Sequence, residues 1–176
     1  MNTHPPGLPN QWIPISGVVQ MQYAVKTDVQ SLVGTTITAL TGLSLSFRPK
    51  FGDSKIILAS QVCGSAITDY SLIRIVRSLD DGATWNMISR PDAPSNRREA
   101  GGGYVGEWDS GVAFSSDVQF AVDADHAGRS IQYRVEAWTR TGGATFTVNR
   151  TTTSTNSSTH AAGVSYLIAI EIRNPV

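Results

Sequence analysis

Apolar and polar residues alternate with a period of two along much of this chain, and no window holds a helical period long enough to form a helix. Leu43, Leu45 and Phe47 alternate with Ser44, Ser46 and Arg48, so one face of this segment is apolar and the other polar. Pro49 breaks the run, Gly52-Asp53 supplies turn chemistry, and Lys55 leads into the apolar run Ile56-Ile57-Leu58-Ala59, so the whole reads as strand, turn, strand. Val19, Met21, Tyr23 and Val25 alternate with Gln20, Gln22 and Ala24. A Thr/Ile-rich run over 35–40 leads into the Leu43 strand, and Ile56 to Val62 fits a central strand. Ile73 and Ile75 flank Arg74, after which Val76 and Arg77 break the alternation. Gln119 to Val122 predicts a short strand. Ile131, Tyr133, Val135 and Ala137 alternate with Gln132, Arg134, Glu136 and Trp138, the clearest half-buried strand of the chain. Thr145 to Asn149 is β-prone. In the final run, Val164 to Ile172, Tyr166, Ile168, Ile170 and Ile172 share one face and Leu167, Ala169 and Glu171 the other.

Many short strands separated by turn signals predict an all-β, antiparallel β-sandwich of jelly-roll type. Two long segments interrupt the pattern. Ser89 to Gly106 carries Pro91, Pro94 and the triple Gly101-Gly102-Gly103, and Arg150 to Gly163 is almost wholly Ser, Thr, Asn and Ala. Loops of that length are usually functional or disordered. Pro5, Pro6, Pro9 and Pro14 deny residues 1–17 a helix or a sheet ladder, so this stretch reads as an extended arm, with 18–176 a single sandwich domain. Trp12, Ile13 and Ile15 are the apolar residues nearest the arm's junction with the sandwich. They would pack on the chain's own sandwich or clasp a neighbouring subunit.

At 176 residues the chain can bury roughly 70% of its unfolded surface without staples. Its formal net charge is +0 and only 16% of its residues are charged. Without a basic stripe, binding to nucleic acid is not expected. A neutral Ser/Thr/Gly-rich surface opposes docking on other proteins only weakly. The single Cys63 excludes an intrachain disulfide and a cysteine-based zinc site, and reads as a buried, inert thiol. Met1 to Asn10 lacks the basic and apolar regions of a signal peptide, and no apolar run has the length of a membrane span. Synthesis in a cytoplasm and no membrane insertion are the expectations.

Few residues invite chemistry. Ser78-Leu79-Asp80-Asp81-Gly82-Ala83-Thr84-Trp85 matches the Asp-box pattern Ser-x-Asp-x-Gly-x-Thr-Trp, which resembles the turns of sialidase-like propeller blades. Its physics is local: the Asp80 carboxylate receives turn N–H groups, Gly82 takes a positive φ, and Trp85 folds back over the hairpin. The motif occurs once in a chain too short for a propeller, so Ser78, Asp80, Gly82, Thr84 and Trp85 read as a structural turn. Asp123-Ala124-Asp125-His126 holds metal-ligating residue types, but with no further ligand cluster it reads as loop polarity. His4 and His160 lie in no nucleophile motif. Glu99, Glu107 and Asp109 could be paired glycosidase carboxylates, although a Gly-rich loop holds such a pair poorly. Tyr104 and Trp108, with Arg97 and Arg98, could instead contact a glycan or receptor without catalysis. Asn149-Arg150-Thr151 and Asn156-Ser157-Ser158 fit the N-glycosylation pattern, by chance in so Thr-rich a segment. No cofactor is called for.

Between Val18 and Ile172 the chain resembles small virion proteins of tailed bacteriophages, related to tail-fibre heads and capsid accessory proteins. The residues that carry this are Val18-Val19-Gln20-Met21-Gln22-Tyr23, Thr41-Gly42-Leu43-Ser44-Leu45-Ser46-Phe47, Asp53-Ser54-Lys55-Ile56-Ile57-Leu58, Tyr133-Arg134-Val135 and Leu167-Ile168-Ala169-Ile170-Glu171-Ile172. The resemblance implies a β-sandwich, no enzymatic activity, a homotrimer, and residence in a virion. Long fibres carry a coiled-coil or repetitive shaft, whereas only a short arm precedes this sandwich. That departure favours a capsid decoration (cement) protein, attached to major capsid or tail proteins through Trp12, Ile13 and Ile15. A short tail-fibre head recognising host surface glycan is the alternative, and a small glycan-active enzyme the remote one.

Overall fold

The computed structural model describes residues 17–88, 102–105, 115–151 and 162–173, with the side chains of 102–105 and 115 left out. Among the described residues eleven strands follow in chain order: β1 Val18–Lys26, β2 Gln30–Val33, β3 Thr38–Phe47, β4 Lys55–Ile67, β5 Ser71–Ser78, β6 Asn86–Met87, β7 Gly102–Val105, β8 Ser115–Asp123, β9 Ile131–Thr139, β10 Thr145–Val148 and β11 Ser165–Ile172. No helix occurs among the described residues. The chain is an antiparallel β-sandwich, as the alternation predicts.

The larger, six-stranded sheet is organised by β4, its longest strand. One edge of β4 pairs with β8 over Ile56 to Gly64. Its other edge is shared: β11 pairs with Lys55 to Gln61 and β10 with Gly64 to Ile67. Beyond these lie β1 on β11 and β2 on β10. The handover is made possible by Gly64, where an added Cβ would stand 2.5 Å from the Thr147 carbonyl oxygen and 2.7 Å from the Phe146 ring. The smaller, five-stranded sheet runs β3-β9-β5, with β6 and β7 sharing the far edge of β5. The chain crosses between the sheets at β2–β3, β3–β4, β4–β5, β7–β8, β8–β9 and β9–β10.

The core lies between the sheets. Leu43 and Phe47 of β3, Ile73 and Ile75 of β5, and Ile131, Tyr133, Val135 and Ala137 of β9 meet Ile56, Leu58 and Val62 of β4 and Leu167 and Ala169 of β11. Each Val, Leu, Ile or Phe among them contributes about 1.5–3 kcal/mol when fully buried. Tyr133 and Phe47 meet as tilted rings with centroids 6.5 Å apart, a favourable aromatic geometry. Cys63 is buried, as expected of an inert thiol.

Two readings from the alternation are corrected here. Val76 and Arg77 break the apolar–polar alternation but not the register; β5 stays paired with β9 through Ser78. Arg77 keeps the inward parity of Ile73 and Ile75 because its guanidinium has a partner inside, the Asp123 carboxylate. Val76 faces outward yet is fully covered, with Arg134 and Met87 beside it. The Asp123–His126 segment is also more than loop polarity. Asp123 ends β8 and is buried, accepting from Arg77 and from the Tyr133 hydroxyl at 2.9 Å. His126 is buried as well. Its Nδ1 accepts from the Gly128 N–H at 3.1 Å, so the proton lies on Nε2, which donates to the Ser54 carbonyl at 2.8 Å. Of its three polar residues only Asp125 lies at the surface, with a side chain 95% exposed.

Candidate assembly surface

The outer faces of the two sheets are built from opposite chemistry. On the larger sheet, register aligns three cross-strand rows over β8, β4, β11 and β1. The first is Val122, Ile57, Ile170 and Met21; the second Phe120, Ala59, Ile168 and Tyr23; the third Val118, Gln61, Tyr166 and Val25. No charged residue stands in any row. The β4 and β11 members are half-buried by their neighbours. The edge-strand members are open: Phe120 is 72% exposed, Tyr23 66% and Met21 57%, with Val118, Val122 and Val25 near half.

This arrangement follows from which parity each strand turns inward. On β11, Leu167, Ala169 and Glu171 point into the sandwich and Tyr166, Ile168 and Ile170 point out. Glu171 decides the matter. Its carboxylate accepts from the Ser54 hydroxyl at 2.6 Å, the Lys50 N–H at 2.9 Å, the Phe51 N–H at 3.1 Å and the Gln20 amide at 2.7 Å. Burial pushes this carboxyl up, but the donors from Ser54, Lys50, Gln20 and Phe51 together outweigh it and hold it below its ordinary value. Because Gln20 joins this inner network, β1 must turn Met21, Tyr23 and Val25 outward. On β8 the inward positions go to Gln119, Ala121 and Asp123, and Gln119 donates to the Ile73 carbonyl at 2.9 Å. Val118, Phe120 and Val122 are left outside.

The smaller sheet carries a charged cluster on its outer face, among the covered Val76 and Trp138. Glu136, 3% exposed, takes Arg74 at 2.7 Å on one oxygen and Arg134 Nε at 2.9 Å on the other. Arg134 stacks on the Trp85 ring at 3.7 Å and Arg74 lies 5.5 Å from the Trp138 ring. Ser44 and Ser46 of β3 lie exposed beside Arg134 and Gln132.

Trp85 reaches Arg134 because of the Asp-box turn. Ser78 Oγ donates to Asp80 at 2.6 Å and accepts the Gly82 N–H at 2.8 Å. Asp80 also accepts the Thr84 N–H at 2.9 Å and the Thr84 hydroxyl, while Trp85 Nε1 donates to the Gly82 carbonyl at 3.0 Å. Gly82 sits at φ 89°. Hydrogen bonds from Ser78 and Thr84 hold the Asp80 carboxyl down to about 2. These five residues are one closed turn, and its product is the Trp85 platform over the smaller sheet.

An open groove of about 730 Å³ lies at one end of the sandwich, lined in part by Gln20, Gln22, Ser46, Arg48, Lys50 and Ser130. Among the described residues no cluster of three or more His, Cys, Asp or Glu could hold a metal ion. Trp12, Ile13, Ile15, Arg97, Arg98, Trp108, Glu99, Glu107, Asp109, His4 and His160 lie outside the described residues. Tyr104 belongs to β7, its side chain outside them. Sequence reasoning passed over Met21, Tyr23, Val118, Phe120 and Val122 as a surface. The available signal was that β1 and β11 each place apolar residues opposite a polar partner needed inside, Gln20 and Glu171.

No protein-family model matches the chain, and no curated protein matches it. Among solved structures it is similar to a chain in the structure of infectious bursal disease virus Gx strain, with a TM-score of 0.39 and 10% sequence identity over 99% of this chain. The alignment spans 43% of that chain, less than half its length. No residue here takes a role from that likeness.

Proposed function

We propose that this protein is a non-enzymatic structural component of a virion, and more finely a bacteriophage capsid decoration protein that binds the particle through residues 1–17 and stabilises it. The observation that carries the reading is the apolar outer face of the larger sheet, three uncharged rows deep across four strands with Lys55 at their end. An apolar patch this continuous marks an association surface. The ionisable groups argue in the same direction. Asp80, Asp123, Glu136 and Glu171 are each bound by donors that serve the fold, and none is presented to a substrate. The resemblance of five strand segments to phage virion proteins supplies the finer statement.

In this reading Trp12, Ile13 and Ile15 anchor the arm on capsid or tail subunits. The test is to mix undecorated particles with the full chain, with a chain lacking residues 1–17, and with Trp12→Ala, and to locate bound protein by electron microscopy. Full-length protein should coat the particle, the truncated chain should fold but not bind, and Trp12→Ala should bind about 30-fold more weakly. Undiminished binding of the truncated chain would overturn the arm as attachment device. Label confined to fibre tips would replace the decoration role with receptor recognition.

A further inference from the structure

The geometry points to a second copy of this chain as the occupant of the apolar face formed by β8, β4, β11 and β1. The inference names a partner for the face on which the proposed function rests.

Three features select this occupant. The first is area. The six open edge-strand residues Met21, Tyr23, Val25, Val118, Phe120 and Val122 carry roughly 700 Å² of accessible surface, more than a monomer ordinarily leaves in one patch and close to the ~800 Å² each partner brings to a standard interface. The second is width. Four strands span about 19 Å across the sheet, whereas any single extended segment covers about one strand spacing and leaves most of the rows open. A second sheet, packing at ~10 Å, covers them all. The third is composition. The rows hold no charge, and their polar groups are the Gln61 amide and the Tyr23 and Tyr166 hydroxyls. Faces of this kind belong to permanent partners that meet as soon as the chain folds, and another copy of the chain is always present then.

The middle row also has relief suited to self-pairing. Ala59, its smallest member, lies between Phe120 and Ile168 and is the lowest point of the row in side-chain size. In a two-fold arrangement the Phe120 ring of each copy would pack over Ala59 of the other, since an isologous contact is always made twice.

Sedimentation of the full chain from about 1 to about 100 µM reads the association without any particle present, so this inference and the virion role can fail separately. A discrete oligomer that persists at high salt is expected, because no charge pairs across the face. Phe120→Asp and Tyr23→Asp should each weaken it about 30-fold or more while circular dichroism keeps the strand spectrum. Ser44→Asp, on the outer face of the smaller sheet, should leave it unchanged, and so should deletion of residues 1–16. A monomer at the highest concentration would overturn the proposal. So would open-ended aggregation without a discrete species, an oligomer indifferent to both face substitutions, or an oligomer appearing only after residues 1–16 are removed, which would make the arm the occupant.

Discussion

The two sheets of this sandwich share a core but treat their outer faces in opposite ways. The smaller sheet carries Arg74, Glu136 and Arg134 on its outer face, where one carboxylate ties two guanidinium groups beside Trp85 and Trp138, while its Arg77 points in to Asp123. The larger sheet keeps carboxylates inside, Glu171 and Asp123, and turns apolar rows out. An antiparallel sheet usually has one solvated polar face, as the smaller sheet does. A sheet apolar on both faces is built for two neighbours. The difference teaches that alternation tells where the two faces of a strand lie, but a buried polar group decides which face is inside.

The comparison can be broken first at Glu136. Glu136→Ala leaves Arg74 and Arg134 facing each other without their shared carboxylate. Complete burial of an unpaired charge costs about 3–5 kcal/mol, and the partial exposure of both arginines reduces this to about 2–3 kcal/mol of unfolding free energy, measured by urea denaturation.

Inside the larger sheet, Glu171→Gln exchanges an acceptor for an amide that meets the Lys50 and Phe51 N–H groups, at about 2 kcal/mol. Its pH dependence has a definite sign. The folded carboxyl lies below its ordinary value of 4.5, so its contribution is fully present above that pH and is lost as pH falls through the folded value. Stability of the wild type should decline on acidification below that point, and Glu171→Gln should flatten this part of the profile.

Gly64→Ala tests the handover from β11 to β10. The new methyl group meets a backbone carbonyl and the Phe146 ring, neither of which moves freely, so about 1–2 kcal/mol of destabilisation is expected in thermal unfolding. The smallest effect is expected on the larger sheet's outer face. Phe120→Ser should change the stability of the dilute chain by no more than ~0.5 kcal/mol, since so exposed a ring contributes little to its own fold. A large loss in dilute solution would mean that Phe120 belongs to the core of its own chain.

Much of the fold was legible in the alternation. Ile131, Tyr133, Val135 and Ala137 point inward as read, and Leu43 and Phe47 do so beside exposed Ser44 and Ser46. The Asp-box residues stand at the spacing their hydrogen bonds require, because that motif is local. The polarity of β1, β8 and β11 was not legible. On β11 both faces are apolar apart from Glu171, and its partners Ser54, Lys50, Phe51 and Gln20 are far away in sequence. Asp123 and His126 were misread for the same reason, since Arg77, Tyr133 and Ser54 reach them only through the sheet crossing. The assembly surface itself exists only once four strands are in register.

Hydroxyl-radical footprinting of the full chain at about 1 and about 100 µM tests the assembly claim most directly. Met21, Tyr23 and Phe120 are reactive, open side chains of the larger sheet's outer face, and Phe51 and Trp85 are internal references elsewhere on the surface. Labelling of Met21, Tyr23 and Phe120 should fall together as concentration rises while Phe51 and Trp85 stay constant. Equal labelling of Met21, Tyr23 and Phe120 at both concentrations, with the chain monomeric throughout, would contradict it.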